Sequence, residues 1–242
     1  MSEDKIRYGN QSAKTQGDAL AAAQADLENR LPANADPSKD EWEARFQCES
    51  QSLLEWAARS GRLIDLRPFS ARILRGGMEH DIWFDEPAQR WYKVTHPGEC
   101  GRHPEVEINL DKQTQQWKKE VLLRLATPKE YLERLRLQNV LFGDDLRLEG
   151  LSVRAGKFCV VTSQPVVAGR TPSLEEIHAF MTACGFSECA DFMFYDGKRR
   201  LAAFDAQPKN FRRTRGGQVL PIDLILAPAE ELHEALGGTP AG

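Results

Sequence analysis

What the sequence lacks narrows the field before any motif is read. It has no apolar run of about 18 residues, and its first residues are polar and charged, so neither a membrane-spanning helix nor a secretory leader is expected. It has no C-x-x-C pair, and Cys48, Cys100, Cys159, Cys184 and Cys189 are odd in number. That argues against a disulfide framework or a thiolate zinc site, and for reduced thiols in a cytoplasmic protein. It has no basic excess either: 32 Lys+Arg stand against 36 Asp+Glu, a net charge of -4. General binders of nucleic acid or anionic membrane carry such an excess, so neither partner is expected and any basic site is local. There is no internal repeat and no low-complexity tract.

What is present suits one domain with an added terminal segment, since 242 residues can bury a real core. Residues 1–39 are rich in Ala, Asp, Gln and Asn, are broken at Pro32 and Pro37, and hold one helical stretch at 19–31. This segment is expected to be mobile or loosely docked. A firmer helix spans 40–59, with Trp42, Phe46, Leu53 and Trp56 on its apolar face and Gly61 as its stop. An antiparallel meander follows, through Ile73-Leu74, Ile82-Trp83-Phe84 and Trp91-Tyr92-Lys93-Val94.

Residues 98–111 read as an irregular insert, and 115–125 suits helix and strand equally. Thr127-Pro128-Lys129-Glu130 is a capping box with Pro at the first helical position. Strands are expected at 146–151 and 158–162 around the Ala155-Gly156 turn, and a helix from Thr171-Pro172 to near Gly185. Short apolar runs at 192–195, 201–204 and 219–225 close the pattern of an α+β unit with two lobes.

The chemistry centres on Phe204-Asp205-Ala206-Gln207-Pro208-Lys209-Asn210, a strand end and a tight loop carrying a carboxylate and, five residues on, a carboxamide. A second carboxylate, Asp223, ends a later apolar run. If 219–223 pairs back along the chain leaving Asn210, these oxygen donors converge, a set suited to hard Mg²⁺ with one carboxylate left to accept a hydroxyl proton. Asp and Asn also suit turns, and on this fragment alone turn chemistry is the stronger reading. Upstream, the Gly76-Gly77 turn runs into a strand, a backbone able to close over phosphates, although an ordinary hairpin turn does the same. Lys93 points to one sheet face, where it can meet phosphate oxygens or simply be an edge lysine. The apolar strand 160–163 runs into a connector at Gln164-Pro165-Val166, where backbone groups can meet a purine edge.

In this order the chain resembles the protein-kinase-like superfamily, in particular the small kinase-like domains of phage and mobile-element polyvalent proteins, over residues 53–228. The resemblance implies a minimal bilobal kinase-like fold with an antiparallel N-lobe sheet, a truncated helical C-lobe and an N-terminal helical extension. Residues 62–163 would be the N-lobe, 164–167 the hinge and 168–242 the reduced C-lobe. It implies ATP and Mg²⁺ as cofactors, Gly76 and Gly77 as the glycine-rich loop, Lys93 as the phosphate-binding lysine, and Gln164 and Val166 as hinge contacts. Asp205 would be the catalytic base, with Asn210 and Asp223 as metal ligands; Glu130 is favoured over Glu133 as the partner of Lys93.

The chain also departs from the pattern. Ala203-Phe204 replace the His-Arg before the base, Leu224-Ile225 replace Phe-Gly, and Lys209 stands four residues after the base, not two. About twenty residues follow Asp223, too few for an activation segment and the usual large C-terminal lobe, so peptide docking would be improvised or absent. The expected acceptor is a hydroxyl on a protein, and the missing segment makes a small-molecule phosphotransferase a third reading. A nucleotide-binding pseudokinase is the alternative class. His96, Cys100 and His103 are poor metal ligands for want of a fourth. The basic runs Lys198-Arg199-Arg200 and Arg212-Arg213-Arg215 suit either solvated turns or an acidic substrate.

Overall fold

The computed structural model describes residues 13–30, 39–110 and 117–229. They group into two compact units, Met1–Gly101 with Leu125–Val166, and Arg102–Arg124 with Val167–Gly242. In chain order the first elements are α1 (Ala13–Arg30), α2 (Lys39–Ser60), β1 (Leu74–Arg75), β2 (His80–Asp85), β3 (Arg90–Thr95), β4 (Arg102–Leu110) and β5 (Trp117–Leu125). Then follow α3 (Pro128–Phe142), β6 (Arg147–Arg154), β7 (Lys157–Pro165), α4 (Leu174–Ala183), β8 (Ser187–Ala190), β9 (Met193–Asp196), β10 (Leu201–Phe204), β11 (Phe211–Arg213), β12 (Val219–Pro221) and β13 (Ile225–Pro228). Among the described residues no helix is long and apolar enough to cross a membrane.

The first unit is an antiparallel sheet of order β1-β2-β3-β7-β6 with helices on one face. Its β6–β7 turn uses Ala155 at φ 50° and Gly156 at φ 73°, the paired left-handed residues that match the twist of a two-residue hairpin. Side chains alternate across β3, so Val94 joins Trp83, Cys159 and Val161 on one face with Leu66. Lys93 therefore projects to the other face, beside its cross-strand neighbours Ile82 and Thr162. That face is covered by helices, whose Leu27, Leu53, Tyr131, Leu132 and Leu135 pack on Leu148, Leu151 and Val160.

Both halves of the expected capping box start α3. Thr127 Oγ1 accepts the Glu130 N–H at 3.4 Å, and Glu130 Oε2 accepts the Thr127 N–H at 2.8 Å. Gly143, at φ 66°, ends the helix. Tyr131 then meets His80 at 2.8 Å, and Arg134 donates to Glu79 at 2.9 Å, fixing the helix to the start of β2.

The expectation of a mobile segment at 1–39 is corrected for residues 13–30. Ala19, Leu20, Ala23 and Leu27 form a stripe along α1 and are buried in the main core, because spacings of three and four residues share a helix face. Residues 1–12 and 31–38, with Pro32 and Pro37, lie outside the described residues. Leu27 is fully buried, so Leu27→Ala is expected to lower unfolding free energy by about 2–5 kcal/mol, read from the urea midpoint. An unchanged midpoint would mean that α1 is dispensable to the core.

The second unit holds a four-stranded sheet of order β13-β10-β9-β8, a β11–β12 hairpin, a β4–β5 pair and the helix α4. The helix starts at Ser173, whose Oγ accepts the Glu176 N–H at 3.3 Å, two residues beyond the expected Thr171-Pro172 start. Residues 102–110 form a strand where an irregular insert was expected. Pro104, Val106, Ile108 and Leu110 alternate with polar residues, a period of two. Val106 and Val121 pack against Tyr195, Phe204 and Ile225. The expected truncated helical C-lobe is also corrected: among the described residues of this unit α4 is the one α-helix, and strands of three or four residues make up β8 to β13. Turn residues interrupt the apolar runs before a helix could bury its stripe.

Candidate functional site

In the second unit β10 delivers Asp205 from the buried residues Ala202, Ala203 and Phe204 into a loop. Asp205 takes φ 56°, left-handed backbone that Asp and Asn tolerate better than most residues. Its carbonyl accepts the Gln207 N–H at 2.7 Å and the Asn210 side-chain amide at 2.7 Å. Its carboxylate is held on both oxygens: Gln207 Nε2 donates to Oδ1 at 2.6 Å, and Asn210 Nδ2 donates to Oδ2 at 2.7 Å. The Lys209 ammonium stands 3.9 Å from Oδ2 on a largely exposed side chain. Asn210 is buried within the turn Pro208–Asn210, and with its NH₂ committed to Asp205 its Oδ1 is the end left to accept or to coordinate.

The expected pairing of 219–223 with the chain leaving Asn210 is present. β11 and β12 pair with Phe211 opposite Pro221, and the Ile222 N–H donates to the Asn210 carbonyl at 2.8 Å, one residue before Asp223. A second register brings the two carboxylates to one end of the four-stranded sheet. Phe204 opposes Ile225 in the β10–β13 pair, so the chain leaves β10 at Asp205 where it enters β13 through Asp223 and Leu224.

In the first unit Gly76 and Gly77 lie exposed between β1 and β2, with the Gly76 N–H donating to the His80 carbonyl at 3.2 Å. A Cβ at Gly76 would come within 2.6 Å of Ile82 Cγ2, so this turn closes too tightly for a side chain. Two strands on, Gln164 is buried beside Trp91, and its Oε1 has no hydrogen-bond partner. The Val166 N–H donates to the Gln89 carbonyl at 3.1 Å, which leaves the Val166 carbonyl as the backbone group of that residue able to meet a ligand.

Both glutamates considered for Lys93 hold other partners as well. Glu130 closes the α3 cap, and Glu133 is bidentate with Arg136 at 2.8 and 2.6 Å while accepting Gln24 at 3.0 Å. Beyond the other end of α3, the Lys93 charge also bears on Asp144. Burial pushes its carboxyl above the usual range, while the Gln138 amide at 2.8 Å, the Asp145 N–H at 2.8 Å and the Lys93 ammonium pull the other way.

The other candidates resolve as structure. Cys100 is fully buried and its thiol is held well above its ordinary range by desolvation; burial likewise raises Cys159 to about 11. His96 faces Asp81 at 3.6 Å, and among the described residues no three His, Cys, Asp or Glu side chains group as a metal site. Arg199 binds Asp196 and the Cys184 carbonyl, and Arg170 and Arg213 both bind Glu176, so much of the basic runs ties turns together.

The first unit carries a tight glycine turn before a lysine-bearing strand, and the second an Asp locked to the Asn five residues on. Residues 73–228 match the family model of serine/threonine/tyrosine kinases found in polyvalent proteins, and the chain belongs to that family. No curated protein and no solved structure matches the chain.

Proposed function

We propose that the protein is a Mg-ATP-dependent kinase that transfers the γ-phosphate to a hydroxyl on a protein, a Ser, Thr or Tyr. The observation that carries this is the Asp205–Asn210 lock. A turn needs no carboxylate held on both oxygens at the end of a buried strand, whereas a base for proton abstraction needs that fixed aim. Asp205 takes the hydroxyl proton as the acceptor oxygen bonds to the γ-phosphorus and the bond to the ADP oxygen breaks. Lys93 and the Gly76-Gly77 backbone are assigned to the phosphates, and Gln164 with the Val166 carbonyl to the base. The orphaned Gln164 Oε1 supports that assignment, since a buried acceptor left unpaired is costly and a purine amino group would satisfy it.

The carboxamide and carboxylate oxygens of Asn210 and Asp223 suit a hard divalent cation and are the residues that would hold Mg²⁺. When bound, it supplies charge that neutralises phosphate oxygens. ATP with Mg²⁺ at a hundredfold excess over its Kd is expected to stabilise the fold by about 2.7 kcal/mol, a rise in melting temperature of roughly 5–11 °C. No shift at millimolar ATP sinks the reading. Incubation of the chain with γ-labelled ATP and host lysate then separates the acceptor classes: label in a protein band supports the proposal, label in small molecules replaces it with a small-molecule phosphotransferase, and binding without label leaves a pseudokinase.

A further inference from the structure

Gln207 stands two residues after Asp205 and was given no role of its own above, yet its amide lies 2.6 Å from the Asp205 carboxylate. We infer that Gln207 is a positioning residue whose side-chain amide fixes the orientation of the carboxylate that takes the acceptor's proton, a role that rests on the kinase reading. The χ2 torsion of an Asp is soft, so one donor to one oxygen leaves the carboxylate plane free to swing. Here the two oxygens have different donors, Gln207 Nε2 on Oδ1 and Asn210 Nδ2 on Oδ2, and together these define the plane.

Both amides are anchored at their own backbones. The Gln207 N–H donates to the Asp205 carbonyl at 2.7 Å, and the Asn210 N–H to the Gln207 carbonyl at 2.9 Å. Hydrogen bonds to an ionised acceptor are about twice as strong as neutral ones, and each carboxylate oxygen keeps a second lone pair for the incoming hydroxyl. Lys209 cannot substitute, because at 3.9 Å on an exposed, flexible stem it supplies charge without direction. The loop separates two duties, with orientation given to the neutral amide of Gln207 and charge to Lys209.

The test has an arm that needs no activity. In the full chain, NMR exchange of the Gln207 side-chain amide protons is expected to be slowed on the order of tenfold against a solvated glutamine, with the protection lost in Asp205→Gly, which keeps the left-handed backbone. In the kinetic arm, Gln207→Leu lowers kcat by about tenfold with the KM for Mg-ATP within about twofold, as expected for lost aim and not lost binding. Gln207→Lys, which restores an N–H donor of similar reach, recovers the rate, and Asp205→Asn with Gln207→Leu is no slower than Asp205→Asn alone. An active chain with unprotected Gln207 protons, or Gln207→Leu at the wild-type rate, overturns the positioning role alone. A chain that protects Gln207 but transfers no phosphate overturns the kinase reading, and the positioning role falls with it.

Discussion

Asp205→Asn is expected to lower phosphate transfer on the order of 10²-fold or more while leaving Mg-ATP affinity almost unchanged. The substitution suits this backbone, since Asn tolerates left-handed conformations as readily as Asp and the residue sits at φ 56°. The loop should therefore hold its shape, with the Asn210 amide still donating to the carbonyl of residue 205. What changes is the side chain's chemistry: a carboxamide oxygen is a poor proton acceptor at neutral pH. One of the two amides that now face an oxygen would face an NH₂ group, a loss that Gln207 can relieve by turning its own amide.

If Asp205 were a turn residue only, the same substitution would be nearly silent, because Asn suits turns as well as Asp. Transfer to lysate protein and nucleotide affinity, measured side by side for this variant, separate the two. Equal transfer rates in variant and wild type would remove the assigned mechanism.

The route from sequence to site was legible where local chemistry alone set the structure. Thr127-Pro128-Lys129-Glu130 forms its capping box because all its partners lie within four residues. The pairing that carries Asp223 back to Asn210 was legible for a similar reason, since the short chain between 213 and 219 can close only as a hairpin. The partner of Lys93 was not legible. That choice turns on which helix end the β3 lysine faces, and Glu130 lies about 18 Å along α3 from Phe142 at 1.5 Å per residue. Sequence order favoured Glu130, which closes the α3 cap, while the Lys93 charge also bears on Asp144 at the other end. β4 was missed for a different reason. Its alternating apolar residues were hidden by Gly98, Gly101 and Pro104, which read as loop although Pro104 is buried within the strand.

Asp223→Ala is expected to remove the dependence of ATP affinity on Mg²⁺ and to lower transfer on the order of 10²- to 10³-fold, the scale seen when one preorganised electrostatic contact is deleted. Asp223 lies in the bend between β12 and β13, where the bond that shapes the hairpin runs from the Ile222 N–H to the Asn210 carbonyl. That bond belongs to the backbone and survives the loss of the carboxylate, as does the pairing of Phe204 with Ile225 that sets the end of the sheet. The fold should persist while the oxygen donors drop from a carboxylate and a carboxamide to the carboxamide alone. A hard divalent cation needs more than one such ligand to displace its water, so Asn210 cannot hold it unaided. The measurement is nucleotide affinity with and without Mg²⁺: a Kd that tightens with Mg²⁺ in the wild type and stays level in the variant supports the assignment. A variant that unfolds shows Asp223 to be a structural carboxylate, and one that keeps the full Mg²⁺ response places the cation elsewhere.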